Sequence, residues 1–423
     1  MKGGLLVVGA GAAGYFAAIK AREENPSRQV VMIESGAKPL RKVAISGGGR
    51  CNVTHACFEP NELIRAYPRG AQELRGPFSR FQPRDTVRWF EERGVKLKTE
   101  DDGRIFPESD LSQSIIDCLE QAREAACVEL RLKTKLSQFE RIDGPGISFL
   151  ATLKTEKEKQ REEFAALVLA TGSSPGGYEL AKALGHEIRP CVPSLFTFKL
   201  SDPRLAGLAG VSVPQAEIQL FLDGKKTLRE TGPVLITHWG LSGPGVIKLS
   251  AWAAKELAAQ DYQAEIQMNW TPQYTPEEIS SMLRSYKSLH PKRNVLANAP
   301  FPFPKRLWTT LAHSVEIANE EEWGELRKEA LVHLAEEIQR GKFSVIGKGE
   351  FKDEFVTCGG VALREVDFRT MESKVQPQVF FAGEILDIDG VTGGYNFQSA
   401  WTTGWIAGMA AAGLATDTGS ILD

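Results

Sequence analysis

The chain has 423 residues, 42% of them hydrophobic and 25% charged, with a net charge of -3. That composition suits a soluble globular protein of two or three domains and supplies no electrostatic pull toward nucleic acid or anionic membrane. No apolar run reaches the roughly 18 residues of a membrane span, the start has no signal-peptide pattern, and six cysteines without CxxC spacing indicate neither a metal site nor a disulfide framework. A cytoplasmic protein without a nucleic-acid or membrane partner is the expectation.

Leu5 to Val8 is an apolar run of β type that stops at Gly9, and apolar residues at helical spacing follow from Tyr15 to Lys20. Strand, tight turn and helix are therefore expected. In Gly9-Ala10-Gly11-Ala12-Ala13-Gly14, Gly9 permits the turn, Gly11 lets the backbone approach a pyrophosphate, and Gly14 lets helix and strand pack closely. Ala12 and Ala13 sit where a helix N-terminus offers unpaired N–H groups to the anion. The next apolar run, Gln29 to Ile33, closes at Glu34, where a carboxylate accepts from a ribose 2′-hydroxyl and repels a 2′-phosphate. FAD and NAD both stay open at this point, and NADP does not.

Ser46-Gly47-Gly48-Gly49-Arg50-Cys51-Asn52 would make a poor helix or strand, and suits a loop whose backbone lies against a flat or anionic ligand. Residues 60 to 125 read as mostly helical, with helices over Pro83 to Glu92 and Leu111 to Ala126, the second capped by Ser109 or Asp110. Asp101 to Pro107 reads as a turn and a short strand, in which Arg104 is more an ion-pair residue than an anion ligand. Val128 to Leu136 reads as a strand, followed by a β-meander through Leu153 with the charged run Lys154 to Glu163 as a solvated hairpin tip. Phe164 to Gly172 is a buried strand whose small end, Thr171-Gly172, lets a dinucleotide pass.

From about Pro190 the texture changes. The runs Ser194 to Leu200, Ala216 to Leu222 and Pro233 to Thr237, broken by Pro and Gly, predict an antiparallel barrel or sheet. Thr237 to Gly245 reads as a turn into a helix from Val246 to about Ala259, with Ser242 as N-cap and Pro244 in the first turn. His238, in that turn just before the helix, is the candidate for proton transfer. Residues 276 to 340 read as helical, including Pro304 to Ser314 and Glu320 to Arg340. Lys348 to Val361 then reads as a strand entering a double glycine, and Val379 to Glu384 as a strand ending in an acid. Ile388 to Phe397 is a glycine turn before a small-residue helix from Gln398 to Ala412. A strand-end acid, a glycine turn and a helix N-terminus supply what a flavin needs: an acceptor for ribityl hydroxyls and a dipole at the N1–C2=O edge.

These stretches, together with Gly240-Leu241-Ser242-Gly243-Pro244 and Thr370-Met371-Glu372-Ser373, resemble the bacterial FAD-binding flavoproteins described as aminoacetone oxidase-like or bile-acid-reductase-like, across essentially the whole chain. The resemblance implies an α/β fold: a doubly wound, Rossmann-like domain of glutathione-reductase type that binds FAD, with an inserted β-barrel and a helical subdomain. The expected boundaries are 1–190 plus 346–423 for the FAD domain, 191–270 plus about 341–345 for the barrel, and 271–340 for the helices. It further implies that Gly9, Gly11 and Gly14 hold the pyrophosphate and that Glu34, beside Ser35, holds the adenosine ribose. Arg41, Lys42, Ser46, Gly47, Gly49, Arg50, Cys51 and Asn52 run beside pyrophosphate and flavin. The backbone of Leu136 reads the adenine, while Thr171 and Gly172 pass the AMP half. Gly383 and Glu384 carry the ribityl acid, and Gly393, Gly394, Tyr395 and Asn396 cap the flavin ring.

The implied activity is an FAD-dependent oxidoreductase that moves hydride between flavin N5 and a small organic substrate lying between the FAD domain and the barrel. Two alternatives stand beside it: an NAD(P)H-dependent reductase of conjugated ketones, and an FAD-containing nucleic-acid-modifying protein, which the net charge counts against. No second GxGxxG is present, so any NAD(P)H binds transiently. Cys51 and Cys358 stand in glycine-rich loops that can face a flavin, and the absence of a CxxC partner argues against disulfide-reductase chemistry.

Overall fold

The computed structural model describes residues 3–142, 148–349 and 356–413. They form two compact units, one from residues 3–191 with 356–413 and one from residues 192–349.

The first unit is built on a parallel sheet. Strand β1 (Leu5–Val8) leads through the glycine turn into helix α1 (Ala12–Glu24), then β2 (Val30–Ile33), helix α2 (Arg41–Gly49), β3 (Glu129–Arg131), β4 (Ala166–Leu169) and, far along the chain, β5 (Val379–Phe381) and helix α3 (Tyr395–Ala411). In space the order is β5-β4-β1-β2-β3, and every pairing among the five is parallel. Two short antiparallel strands, Glu372–Ser373 and Val366–Asp367, extend the β5 edge. All four residues of β1, of β2 and of β4 are buried, which is why these strands read as unbroken apolar runs and not as alternations. The chain winds outward from β1 through β2 to β3 and then returns to β4 on the other side of β1. That reversal opens a crevice beyond the carboxyl ends of β1 and β4, the place where doubly wound sheets bind their ligands.

Small residues set how closely the two main helices approach. A Cβ on Gly404 would stand 2.4 Å from the Ala13 carbonyl oxygen, and one on Gly408 2.3 Å from that of Ala17. Helices α1 and α3 thus touch backbone to backbone, flanked by the Phe16 and Trp401 rings with centroids 4.7 Å apart. A larger residue at either glycine would separate the first helix of the chain from the last.

The second unit holds a closed barrel in the order Phe198–Leu200, Gly240–Ser242, Lys225–Thr237, Ser212–Leu222, Gln263–Asn269, Gly341–Lys348. Its buried side chains, among them Ile218, Leu220, Ile266, Met268 and Phe343, belong to one continuous apolar core with Trp308 and Trp323 of the helical stretch. Among the described residues no helix is long and apolar enough to cross a membrane.

Several local expectations need correction. Val128 to Leu136 is not one strand: β3 ends at Arg131, Lys133 turns the chain at a φ of 51°, and the meander strand starts at Lys135. The charged run is a tip only over Thr155 to Glu158, since Lys159–Phe164 is a strand on the edge of a three-stranded sheet. The helix Ser112–Ala125 has Leu111 as its N-cap. Ser109 Oγ instead accepts from the Leu111 N–H at 3.3 Å, and Asp110 pairs with Lys98. Ser242 closes a barrel strand, so Gly243 is the cap of the helix Pro244–Trp252, and a separate helix, Ala254–Ala259, follows. Helix begins at Lys328, not Glu320. Of the expected strand Lys348 to Val361, residues 350–355 lie outside the described residues, and Val356–Val361 pairs with Ile188–Ser194.

Candidate functional site

At the mouth of the crevice Gly9 has a φ of 106°, and a Cβ there would stand 2.4 Å from the Ala170 carbonyl oxygen, so a side chain is excluded by both conformation and space. A Cβ on Gly14 would lie 1.9 Å from the Gly9 oxygen, whereas one on Gly11 would meet nothing within 4 Å. The turn is thus closed toward the protein and open on the outer side. Helix α1 begins at Ala12 with no side-chain cap on its first N–H groups, which leaves them and the positive end of the helix dipole for an anion.

Glu34 directly follows β2. Its carboxylate accepts from the N–H groups of Ala10 at 3.1 Å and Gly36 at 2.7 Å, and from Ser35 Oγ at 3.3 Å. These bonds aim the carboxylate at the crevice while keeping acceptor capacity on Oε2 for one further hydroxyl. Leu136 is the second residue of the meander strand that enters beside Glu34: the Thr134 N–H bonds the Glu34 carbonyl at 2.9 Å. At the end of β4, Thr171 Oγ1 is buried and without a hydrogen-bond partner, and Gly172 stands next to the Glu384 carboxylate.

Helix α2 loses helical geometry at Ser46, Gly47 and Gly48, as the triple glycine leads one to expect. A Cβ on Gly48 or Gly49 would meet nothing within 4 Å, so the outer face of this loop is free to lie along a ligand. Its ends are anchored. Ser46 accepts the Cys51 N–H through its carbonyl at 3.0 Å, and Arg50 pairs with Glu100 at 2.6 Å and Asp110 at 3.4 Å while its guanidinium covers the Phe106 ring at 4.0 Å. Arg50 is therefore held by carboxylates, and Arg104 by Glu100 and Asp102. Cys51 is fully buried, and burial pushes its thiol up to about 12; Cys358 is equally buried. Neither thiol is therefore accessible, reactive sulfur.

Two distant stretches meet at this loop. Oriented to satisfy both of its ends, the Asn52 amide donates to the Thr54 carbonyl at 3.0 Å and accepts from the Gly394 N–H at 2.9 Å. Gly394 has a φ of 92°, and a Cβ there would stand 2.5 Å from the Thr54 oxygen, so only glycine lets α3 start this close. Lys42, on α2, reaches the Glu384 carboxylate in the turn after β5 and Ser173 Oγ at 3.2 Å. Glu384 also accepts the Thr357 N–H at 3.0 Å, and the Gly383 N–H is taken by Thr403 Oγ1 at 2.9 Å. The structure thus brings Lys42, Gly172, Ser173 and Glu384 together at one point and Asn52, Gly393, Gly394 and Tyr395 at another. Arg41 lies exposed at the first turn of α2.

Sequence reasoning singled out Asn396 but missed His55, Tyr67, Arg69, Asp389 and Gln398, the groups behind these loops. The Asn396 amide bonds Gly390 on both its N–H and its carbonyl, each at 2.8 Å. Tyr67 donates to the Tyr395 carbonyl at 2.6 Å, and Arg69 pairs with the buried Asp389. The His55 ring stacks on Tyr395 with centroids 4.7 Å apart, and burial pushes the Tyr395 phenol up to about 12. Gln398, fully buried, accepts from Thr54 Oγ1 at 2.6 Å and Thr86 Oγ1 at 2.9 Å. The only cue for Asp389 was an acid between Ile388 and Gly390 in an otherwise apolar and glycine-rich run. His238 belongs to the second unit, exposed at the two-residue turn between Lys225–Thr237 and Gly240–Ser242. It does not adjoin a helix N-terminus, because a strand intervenes. Among the described residues no cluster of His, Cys, Asp and Glu fits a metal ion.

The orphaned Thr171 hydroxyl, the open face at Gly11, the uncapped start of α1 and the aimed Glu34 carboxylate all fit a dinucleotide lying across the carboxyl ends of β1 and β4. Residues 4–410 match the family described as the HI0933-like protein Rossmann domain. This chain belongs to that family. Within it the chain is similar to the ribosomal RNA dihydrouridine synthase of Escherichia coli K12, at 30% identity over 95% of this chain and 96% of that one. It is also similar to the 3-dehydro-bile acid delta(4,6)-reductase of Clostridium scindens, at 28% identity over 96% and 98%. Among solved structures, the 3-ketosteroid-delta4-(5alpha)-dehydrogenase of Rhodococcus jostii RHA1 covers 96% of each chain with a TM-score of 0.51 at 15% identity, a likeness of fold. This HI0933-like protein is an FAD-dependent oxidoreductase, with FAD as the cofactor of its Rossmann unit.

Proposed function

We propose that this HI0933-like protein is a reductase of carbon–carbon double bonds conjugated to a carbonyl, using a reduced pyridine nucleotide as electron source. The observation that carries the reading is the stitching of the glycine loop to the start of α3 through Asn52 and Gly394. It sets the positive end of that helix beside the loop, where the N–H groups of Tyr395, Asn396 and Phe397 lack intrahelical acceptors. A ring edge that gains negative charge on reduction is favoured there. The flavin, when bound, supplies hydride from N5. The chain's share is to hold the dinucleotide through Glu34 and Glu384 and to orient the ring through the 390–396 loop.

The two family relatives support the substrate class. Forming dihydrouridine saturates a uracil double bond conjugated to a carbonyl, and the Δ4,6 bonds of a 3-dehydro bile acid are conjugated to the 3-carbonyl. Each reduction adds one hydride and one proton. For the proton we propose His238, and unchanged turnover and pH profile in His238→Ala would exclude it.

The test is anaerobic addition of NADH or NADPH to the flavin-loaded protein, followed by a 3-oxo-4-ene steroid in one arm and unmodified ribosomal RNA in the other. Flavin bleaching, followed by reoxidation and a product heavier by two hydrogens, is expected in one arm. The 30% relative gives the RNA arm standing as a second reading. Bleached flavin that neither substrate reoxidises would reject the proposed substrate class.

A further inference from the structure

We propose that Arg69 is a positioning residue, which through Asp389 holds the Gly390–Asn396 loop in the shape that meets the flavin ring. This rests on the assignment of that loop to the flavin made above.

Asp389 is completely buried and the Arg69 side chain is only 13% exposed. The guanidinium meets the carboxylate as a fork: Nε donates to Oδ1 at 2.5 Å, and Nη2 donates to Oδ2. A buried ion pair of this kind adds little net stability, because the desolvation of both charges offsets their attraction. What a two-pronged contact supplies is direction, since both oxygens must face both nitrogens in one plane.

Direction is what the loop lacks by itself. Glycines at 390, 393 and 394 give its backbone wide conformational freedom. The segment just before and after Arg69 adds three further constraints. The Ala66 carbonyl accepts the Val391 N–H at 2.8 Å, the Tyr67 O–H donates to the Tyr395 carbonyl at 2.6 Å, and a Cβ on Gly70 would stand 2.5 Å from Ile388 Cγ1. The loop is thus pinned from behind by residues remote in sequence, with Arg69–Asp389 as its charged pin and the start of α3 at its far end. A loosened pin lets the helix start drift, and preorganised dipoles lose their effect when they drift.

The experiment compares wild type with Arg69→Lys and with the apolar double variant Arg69→Met/Asp389→Leu. Apo thermal melting, the FAD dissociation constant, the visible spectrum and the flavin midpoint potential are measured for each. The double variant removes both charges of the fork together, so its apo melting stays near wild type. Its FAD affinity falls about tenfold or more, the fine structure of its visible band blurs, and its midpoint potential shifts. Arg69→Lys, which keeps the charge but loses the fork, falls between the two. A folded double variant with wild-type affinity, spectrum and potential overturns the inference. A wild-type protein that takes up no FAD overturns the site assignment itself, and the inference with it.

Discussion

Lys42 on helix α2 and Glu384 in the turn after β5 form an ion pair, although one stands near the start of the chain and the other near its end. The lysine is half exposed at 51% and the glutamate mostly covered at 19%. An exposed pair of this type contributes about 0–1 kcal/mol, so Lys42→Ala should leave unfolding by denaturant nearly unchanged. Glu384→Gln should weaken FAD binding about 10- to 100-fold, as expected when a charged acceptor is lost from hydroxyl donors. A fluorescence titration with FAD separates the two variants; equal effects would contradict the assignment of Glu384 to the ribityl chain.

Glu34 is aimed by the N–H groups of Ala10 and Gly36. Glu34→Ala removes the ribose acceptor and leaves those two donors seeking water. FAD affinity should fall roughly tenfold or more, while FMN, which has no adenosine ribose, should bind equally well to wild type and variant. A matched loss for FMN would place Glu34 elsewhere than at the ribose.

His186 is buried, with Nδ1 3.1 Å from Glu365 and Nε2 2.8 Å from Ser373 Oγ. Burial lowers its affinity for a proton, and the nearby Glu365 carboxylate opposes this without reversing it. The folded value therefore lies below the unfolded 6.5. The neutral ring contributes stability that is fully present above 6.5 and is lost as pH falls through the folded value. Thermal midpoints measured between about pH 8 and pH 5 should drop more steeply for wild type than for His186→Asn. Parallel curves would show that this histidine is not responsible.

Cys127 and Cys191 are exposed, whereas Cys51 and Cys358 are buried. With its thiol pushed up to about 12, Cys51 has almost no thiolate at neutral pH. Iodoacetamide on the native protein should label the exposed pair and leave Cys51 and Cys358 unmodified by peptide mass mapping. Rapid labelling of Cys51 would reopen a thiol role at the flavin loop.

A side chain at Gly404 would collide with the Ala13 carbonyl at 2.4 Å. Gly404→Val should cost about 1–3 kcal/mol through overpacking, and because Ala13 lies in the pyrophosphate turn, FAD affinity should fall with it. An unchanged denaturation midpoint would mean that the two helices part without penalty.

The parts of this fold legible in the chain are those with a local pattern. Leu5 to Gly14 carries strand, turn and helix in consecutive residues, and Glu34 and Glu384 each stand at the end of an apolar run. The parts that stayed hidden depend on partners far away. Asp110 has the chemistry of a helix cap, but Lys98 and Arg50 occupy its carboxylate. Lys159 to Glu163 is a strand in which a charged edge faces water, so no apolar alternation marks it. The Arg69 and Tyr67 contacts, and the bond from Asn52 to Gly394, join residues more than 300 positions apart, for which sequence carries no periodic trace. His238 stood out by its residue type and its turn, and the barrel strand that separates it from the next helix has only three residues.

Helix α3 and strand β5 carry a cost during synthesis. Strand β4 ends at Leu169 and its neighbour β5 begins at Val379, so at about 5–20 residues per second the ribosome needs roughly ten to forty seconds to deliver the partner. Throughout that interval one edge of β4 and the apolar flank of α1 stand uncovered on the nascent chain, in a form prone to pair with a neighbouring polypeptide. A truncated transcript would therefore yield an aggregating fragment and not a weaker enzyme, and a ribosome-associated holdase should crosslink to residues 5–24 until the last helix emerges.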